Sequence, residues 1–409
     1  MKCYQQNRKK TIWGINKFIS FSPTKLFKIE DLFKLSLSFL LLIGLVACSG
    51  QTKPENETET TESSTPGEEE SKLTFFDVTL EQADDTGKPI WKVEAKQARY
   101  AREKQIAEVE KPYGELYQDG KVVYQVKAQK ANIKQDGKQL FLEGNIVATD
   151  PKTGAILKGN ELEWRPQEDL LIVRKQLNGI HKQVRVVAKE ARVKTREQRM
   201  ELFGGVVANS NEPKLQLRTE ELTWKINEEK LLGKRPIQID RYKNNRITDR
   251  GRGNSAEVNL KTKVVSVTKN GQLELLEPPI QVASDYMNWN LNSEIVDTKA
   301  PVTVVHKKEN MTVTADRGKL ELPKNIVYLT GNVNGVGQRN QSIKSQNMTW
   351  YLDKELVEAQ GNVIYSQADP PLTFSGDKAS GNLEQQNILV SGGAKRSRVI
   401  TEVIPQPKP

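Results

Sequence analysis

Over residues 122–173 apolar and polar side chains alternate with period two, and turn signals break the pattern at short, regular intervals. Val122, Tyr124, Val126 and Ala128 share one face, and Gln135-Asp136-Gly137-Lys138 reads as a turn. Leu140, Leu142, Gly144, Ile146 and Ala148 share the next face. Asp150-Pro151-Lys152-Thr153-Gly154 turns again, and Pro166-Gln167-Glu168-Asp169 closes the following strand. Alternation punctuated by Gly, Asp, Asn and Pro predicts antiparallel strands. Beyond residue 47 no segment keeps helical periodicity over three turns, so the expected class is all-β.

The pattern repeats. The phrase Ala128-x-x-Ala131-x-Ile133 is followed, thirteen positions after Ala131, by Gly144-Asn145-Ile146. Positions matching Ala131 fall at Ala98, Leu162, Ala191, Leu222, Ala256, Met287, Gly318, Met348 and Ala379, at nearly even intervals. A slower beat lies over this one: Trp164, Trp224, Trp289 and Trp350 each stand two positions beyond every second marker. A period of about 31 residues, held over most of the chain, predicts one stacked array over 73–394 rather than several domains.

The glycines of this phrase predict a bend. Gly144, Gly204, Gly331, Gly361 and Gly392 sit inside long strands, where glycine marks a bend, a bulge or a close backbone approach. Around them stand Leu140, Leu142 and Ile146; Met200, Leu202 and Val206; Val327, Leu329 and Val333; Val357 and Val363; Ile388 and Val390. Strands bent along one line make a folded-over sheet, with these residues as a continuous apolar inner face. That row is either ordinary sandwich core or a surface for lipid, and the four tryptophans read as packing pegs.

Charge adds an address. Eight Lys/Arg against Glu30 and Asp31 precede an apolar run at 35–47 that ends Leu45-Val46-Ala47-Cys48-Ser49. The run is too short to span a bilayer as a helix and fits a secretory signal. Its end is the lipobox pattern of bacterial lipoproteins, so residues 1–47 are expected to be a signal peptide and Cys48 a lipidated N-terminus. Residues 49–72 hold seven Glu against two Lys, with Pro54 and Pro66, and read with Cys48 as a disordered, lipid-anchored tether. Of the chain's net charge of +10, about +9 then belongs to the repeat body. Residues 395–409 read as a flexible tail.

The chemistry of most enzymes is missing. Cys3 and Cys48 are the only cysteines, and His181 and His306, both expected as partly exposed strand residues, are too few for a histidine metal site or a triad. The carboxylates lie at turns and outward strand positions, so a non-enzymatic protein without a cofactor is expected. One basic segment stands out, where the interval between markers is longest: Arg241, Lys243, Arg246, Arg250 and Arg252. It reads either as a solvated loop or as a contact for phosphate or acidic sugar groups. Nucleic acid is not expected for an exported body of this modest charge.

Residues Leu73-Thr74-Phe75-Phe76-Asp77-Val78-Thr79-Leu80-Glu81-Gln82, then Gly87-Lys88-Pro89-Ile90-Trp91-Lys92-Val93-Glu94-Ala95 and Ala98, resemble the start of the periplasmic domain of the LptC family. The Ala-x-x-Ala and Gly-Asn phrases, as at Ala128 and Gly361, are similar to the LptA/OstA repeat. The resemblance covers about residues 73–394. It implies an elongated β-jellyroll or β-taco of V-shaped strands that holds acyl chains of lipopolysaccharide or a related lipid in its groove. It further implies end-to-end docking, with the inner-membrane lipopolysaccharide ABC transporter at the N-terminal edge and an LptA-like or outer-membrane bridge component at the C-terminal edge. The expected location is the periplasm, anchored through Cys48, the inner membrane being favoured. The chain departs from the usual member in its length, which resembles that of cyanobacterial forms, and in its lipobox. A scaffolding lipoprotein with a filled dry core and no lipid cargo is the competing function.

Overall fold

In the computed structural model of the protein the described residues are 72–101, 105–134, 136–382, 387–392 and 399–403. They belong to one compact unit, Pro66–Pro409. The signal segment, Cys48 and the tether as far as residue 71 lie outside them. Among the described residues twenty-eight strands join into a single hydrogen-bonded sheet, and the ladder pairs are antiparallel throughout. The helical content of the described residues is three single turns of 3-10 helix, Pro166–Glu168, Leu322–Lys324 and Gln338–Asn340.

Each long strand is bent at its middle, and the register shows how. In the pair formed by Leu140–Thr149 and Ile156–Arg165, Glu143 faces Glu161 and Ile146 faces Gly159. Two residues, Gly144-Asn145, therefore stand against one, Asn160. The same two-against-one step sets Gly204-Gly205 against Glu220, Lys269-Asn270 against Asp285, Gly331-Asn332 against Gln346, and Gly361-Asn362 against Asp377. An extra residue in one strand of a pair bends it and sharpens its twist. Both residues of the doubled side are left-handed, with φ of +75° at Gly144 and +47° at Asn145. Glycine adopts that conformation freely and asparagine tolerates it, which is why the phrase reads Gly-Asn.

The single-residue side explains the other half of the repeat. Where one residue makes the bend, inward-facing positions fall three apart instead of two or four. Ala188 and Ala191, on either side of Lys189-Glu190, are both buried. The first of these inward positions lies on the fold line and is small: Gly159, Ala188, Thr219, Gly253, Ser284, Ala315 and Ser345. A Cβ on Gly159 would lie 2.6 Å from Val173 Cγ1, so even a methyl is crowded. Thr219, Ser284 and Ser345 instead turn their hydroxyls onto the main chain, donating to the carbonyls of Glu221, Tyr286 and Asn347 at 3.4, 3.2 and 2.9 Å.

Bending every strand on one line divides the sheet into two arms. The first arm carries the segments before each Gly-Asn pair, such as 140–143, and the second the segments after it, such as 146–149. Inward side chains of both arms form one hydrophobic core that runs from Ile90 to Ala379. Along the free border of the first arm the turns are stitched together. The N–H groups of Thr195, Ile226, Leu260, Leu291, Leu322 and Leu352 donate to the carbonyls of Asp169, Gln198, Glu229, Lys263, Glu294 and Asn325, at 2.8 to 3.1 Å. Each accepting residue is left-handed, with φ between +48° and +58°. One turn thus fixes the next, as a stacked repeat requires.

Two expectations change, and one falls at the edge of the described residues. The basic segment is not a loop but the hairpin of Ile237–Lys243 and Arg246–Gly253, turned by Asn244-Asn245 with φ of +50° and +62°. These strands are longer than Val302–His306 and Met311–Ala315 in the following unit, and that lengthening takes up the stretched period. Residues 400–403, expected in a tail, form the strand Ile400–Val403, which pairs with 372–375. Gly392 follows the strand Asn387–Ser391 directly, and residues 393–398 beyond it are outside the described set, so a bend there is not on view.

Candidate functional site

The candidate site is the trough between the arms, together with the two borders, or lips, that close it. Leu140, Leu142, Ile146, Met200, Leu202, Val206, Val327, Leu329 and Val333 are each at most 1% exposed, and Val357 and Val363 are also buried. Ile388 and Val390, near the C-terminal end, are half-buried and pack against the same core. The sequence therefore located the inner face. Through the middle of the array, however, that face is covered by the opposite arm, and the trough is filled by the protein's own side chains.

What closes it is a latch repeated at every second turn. Trp164, Trp224, Trp289 and Trp350 point inward at the first-arm lip and are buried. Five positions beyond each comes an acid: Asp169, Glu229, Glu294 and Glu355. Opposite them, on the second-arm lip, stand polar or basic partners. Gln118 donates to Asp169, and Gln183 Nε2 donates to Glu229 at 2.8 Å. Arg241 and Lys243 pair with Glu294 at 3.1 and 2.8 Å, and Lys308 pairs with Glu355 at 2.6 Å. The rings meet as well: His181 lies 5.0 Å from Trp224, the Arg241 guanidinium 5.4 Å from Trp289, and His306 5.6 Å from Trp350. Trp164 Nε1 donates to the carbonyl of Ile90 at 3.0 Å. Reading the tryptophans as pegs captured half of this device. The other half is legible in the sequence only as Trp-x-x-x-x-Asp/Glu at the same slower beat.

The two histidines belong to the latch. His306 is 3% exposed, which corrects the expectation of a partly exposed residue, and His181 is half-buried. Both Nδ1 atoms accept main-chain N–H bonds, from Glu309 at 3.2 Å and from Gln183 at 3.4 Å. Burial pushes both imidazoles below the ordinary histidine pKa; Lys182 adds to this at His181, while Glu309 and Glu355 act in the opposite sense at His306. Each ring is therefore neutral at pH 7 and holds its turn as an acceptor.

The basic residues do not converge on one point. Arg241 is buried and donates to Asp249 as well as pairing with Glu294. Arg250 pairs at 2.7 Å with Asp240, which is fully buried and also receives Arg218 and Gln238. Burial alone would raise the Asp240 pKa, but these donors hold it below the usual carboxylate range. Arg252 donates to Gln238 Oε1 at 3.2 Å, Lys243 belongs to the latch, and Arg246 is exposed at the hairpin tip. Among the described residues no cluster of His, Cys, Asp and Glu is arranged to hold a metal ion.

At the C-terminal end the lips part. Beyond the Lys308–Glu355 latch a cavity opens between the arms, with Met311, Ile343, Val357, Tyr365 and Ile388 on its walls. The two ends of the sheet also expose apolar side chains. Leu73, Phe75 and Phe76 of the first strand are 57%, 49% and 70% exposed, and Leu389 of Asn387–Ser391 is 71% exposed.

None of the curated proteins compared matches the chain in sequence. Among solved structures, the crystal structure of LptH from Pseudomonas aeruginosa is similar at 16% identity and a TM-score of 0.29. It is described as the LptA homologous periplasmic component of the conserved lipopolysaccharide transport device, and the likeness covers 32% of this chain and 97% of that one. The family model described as "Lipopolysaccharide-assembly, LptC-related" matches three times, at residues 39–171, 157–274 and 304–397. These matches span well over half of a chain whose fold is a bent-strand β-array, and the chain therefore belongs to the LptC-related family of lipopolysaccharide assembly.

Proposed function

We propose that this protein is a non-enzymatic periplasmic component of lipopolysaccharide export that carries acyl chains between its arms toward the outer membrane. The observation behind this reading is the single apolar core, unbroken from Ile90 to Ala379, that ends in an open mouth between the lips. Exposing an acyl chain to water costs about 0.8 kcal/mol per CH₂, or on the order of 10 kcal/mol for a chain of about 12 carbons. A continuous apolar path lowers that barrier by never exposing the chain. Because the central trough is filled, passage requires the arms to part, and the lysine pairs of the latches oppose this only weakly, the buried Arg241 latch being the strongest. Lys308 and Lys243 are at least half-exposed, and such ion pairs contribute about 0–1 kcal/mol each.

The apolar ends support docking by strand addition. Main-chain edges left unpaired recruit foreign strands unless they are covered. In this reading the edge at Leu73 and Phe75 faces the inner-membrane transporter, and the edge at Leu389 faces the next bridge component. Cys48, outside the described residues, anchors the chain to a membrane, with the inner membrane favoured. One observation favours the competing scaffold reading: Leu140, Leu142, Leu202 and Leu329 are covered as completely as any dry core.

Photo-crosslinking separates the two. A crosslinker at Leu142, Leu202 or Leu329 in the working envelope captures lipid if the trough is a conduit, while one at outward Glu143 or Glu201 does not. Equal labelling on both faces, or none inside, sinks the conduit and leaves the scaffold.

A further inference from the structure

The four seam tryptophans stand in one rank. Across the ladders of the first arm Trp164 faces Leu171, Val193 and Met200 follow, and Met200 faces Trp224. From Trp224 the rank runs through Leu231, Val258 and Val265 to Trp289. It continues through Val296, Leu320 and Val327 to Trp350. Every fourth strand thus carries an indole, at intervals of about 19 Å along the array. The rings are buried just inside the lip, between the apolar core and the latch acids.

Their N–H groups are not alike. Trp164 Nε1 donates to the carbonyl of Ile90, a residue bulged out of the first ladder. Trp91, outside the rank, donates to the carbonyl of Gly137 at 2.8 Å. Trp224, Trp289 and Trp350 are 4%, 2% and 0% exposed, and among the described residues their Nε1 atoms meet no acceptor. Buried donors are paired almost without exception, because an unpaired one has given up its bond to water for nothing. Here the same orphan recurs at three equivalent positions, which an accident of packing does not explain. Packing also loosens on this rank. Between Trp224 and Trp289 lies a cavity of about 20 Å³, with Leu231 and Val258 on one wall and Val184, Ala208 and Leu215 of the second arm on the other. Its surface is almost wholly apolar.

We propose that Trp224, Trp289 and Trp350 are donor sites for the linkage carbonyls of acyl lipids, so that the trough selects ester-linked chains over ether-linked ones. The proposal rests on the reading of the trough as an acyl-chain path. An indole donates and cannot accept, whereas an ester carbonyl accepts and cannot donate. A hydroxyl would bring a proton of its own in need of an acceptor, and a free carboxylate would bring a charge into apolar surroundings. The linkage also lies where an acyl chain meets its polar head, the level that the indoles hold between core and latch. At their spacing the three indoles are separate sites that take a carbonyl in turn.

The test uses the full chain labelled with ¹⁵N-tryptophan, in a maltoside detergent, which has no carbonyl. Two ligands of equal chain length are compared, a monoacylglycerol and the corresponding alkylglycerol ether, which differ in the carbonyl alone. The ester should move the indole N–H resonances of Trp224, Trp289 and Trp350 downfield, while those of Trp91 and Trp164, already bonded, stay in place. The ether should leave all of them in place. In competition with a diazirine-bearing alkyl probe that labels Leu202 or Leu329, the ester should outdo the ether by roughly three- to tenfold, the worth of one hydrogen bond. Trp224→Phe/Trp289→Phe/Trp350→Phe should erase that margin with both ligands still bound, and Trp164→Phe should keep it.

Equal competition without indole shifts would overturn the donor assignment and leave the acyl-chain path standing. A margin that survives in the triple variant would do the same. So would indole resonances already in bonded positions before lipid is added, with cross-peaks to water that the ester does not remove, since buried water would then hold the donors. Where the triple variant fails to fold, the resonances of the parent decide. Absence of label in the trough, in a chain that melts normally, would overturn the path and the assignment together.

Discussion

The guanidinium of Arg241 lies 5.4 Å from the ring of Trp289, across the seam between the arms. Arg241 is 5% exposed, and its charge is met by Asp249 and Glu294. It is the most buried cation of a latch that elsewhere uses Gln118, Gln183 beside His181, or Lys308 beside His306. Removing it leaves the buried Asp249 without a cation, while Glu294 keeps only Lys243. Arg241→Met is therefore expected to cost about 3 kcal/mol, read as a lower midpoint in urea unfolding. Adding Asp249→Leu and Glu294→Gln should return most of the loss. A single variant that unfolds like the parent would show that the trio adds nothing to closure.

The bend glycines differ in cost from other glycines. Gly331 has φ of +80°, and a Cβ there would come within 3.0 Å of Asp316 Cβ, closer still to its carboxylate. Gly331→Ala should lose about 1–3 kcal/mol through left-handed strain and this clash. Gly337→Ala, at an unstrained position with open space, should be close to neutral. Equal thermal shifts for the two would remove the bend from the account of the repeat.

Acid should loosen the lips through the two histidines. Both histidines have pKa values lowered in the folded state, chiefly by burial, and each accepts a main-chain N–H at Nδ1. The unfolded chain then binds protons more readily, so stability is level above pH ~7, falls as pH drops below ~6.5, and levels again below the folded pKa. The charged groups facing His306 are Glu309, Glu355 and Lys308. Urea midpoints measured from pH ~7.5 to ~5 should decline in the parent and stay flat in His181→Gln/His306→Gln. A slope that survives in the double variant would assign the effect to other groups.

If lipid enters sideways, closing the seam should block it. With Cys3 replaced by Ala and Cys48 kept as the acylated anchor, a bismaleimide bridge between Lys308→Cys and Glu355→Cys would fix the last latch shut. Lipid capture at Leu329 should then fall several-fold and recover when a cleavable bridge is cut. Capture unchanged by bridging would mean that lipid enters from the ends of the array.

The C-terminal edge gives a prediction about assembly. Leu389 pairs with Ser380 on the last strand of the first arm and is 71% exposed. Leu389→Pro removes a main-chain donor there and should abolish partner binding, with the central repeats still folded. Ile400–Val403 occupies the corresponding border of the second arm, so truncation before residue 399 should expose a second edge. Binding that survives in a folded Leu389→Pro variant would exclude strand pairing at that border.

The sequence alone determined the strand period, the inner row from Leu140 to Val390 and the fold line at the Gly-Asn pairs. These follow from local physics: alternation sorts faces at every second residue, and left-handed backbone selects glycine and asparagine wherever it falls. It also contained the Ala-x-x-Ala spacing, but the meaning of that spacing required the register. Only pairing shows that one residue on this strand faces two on the next, so that inward positions fall three apart. Tertiary structure alone decided what the inner row touches. Leu142 is covered because a second arm closes over it, and closure depends on contacts between distant parts of the chain, such as Arg241 with Glu294. Nothing local in either segment encodes that meeting. For the same reason Arg241 and Arg250 looked available in sequence and are held by carboxylates in the fold, whereas the mouth beside Gln341 and Asn387 arises where the two lips cease to meet.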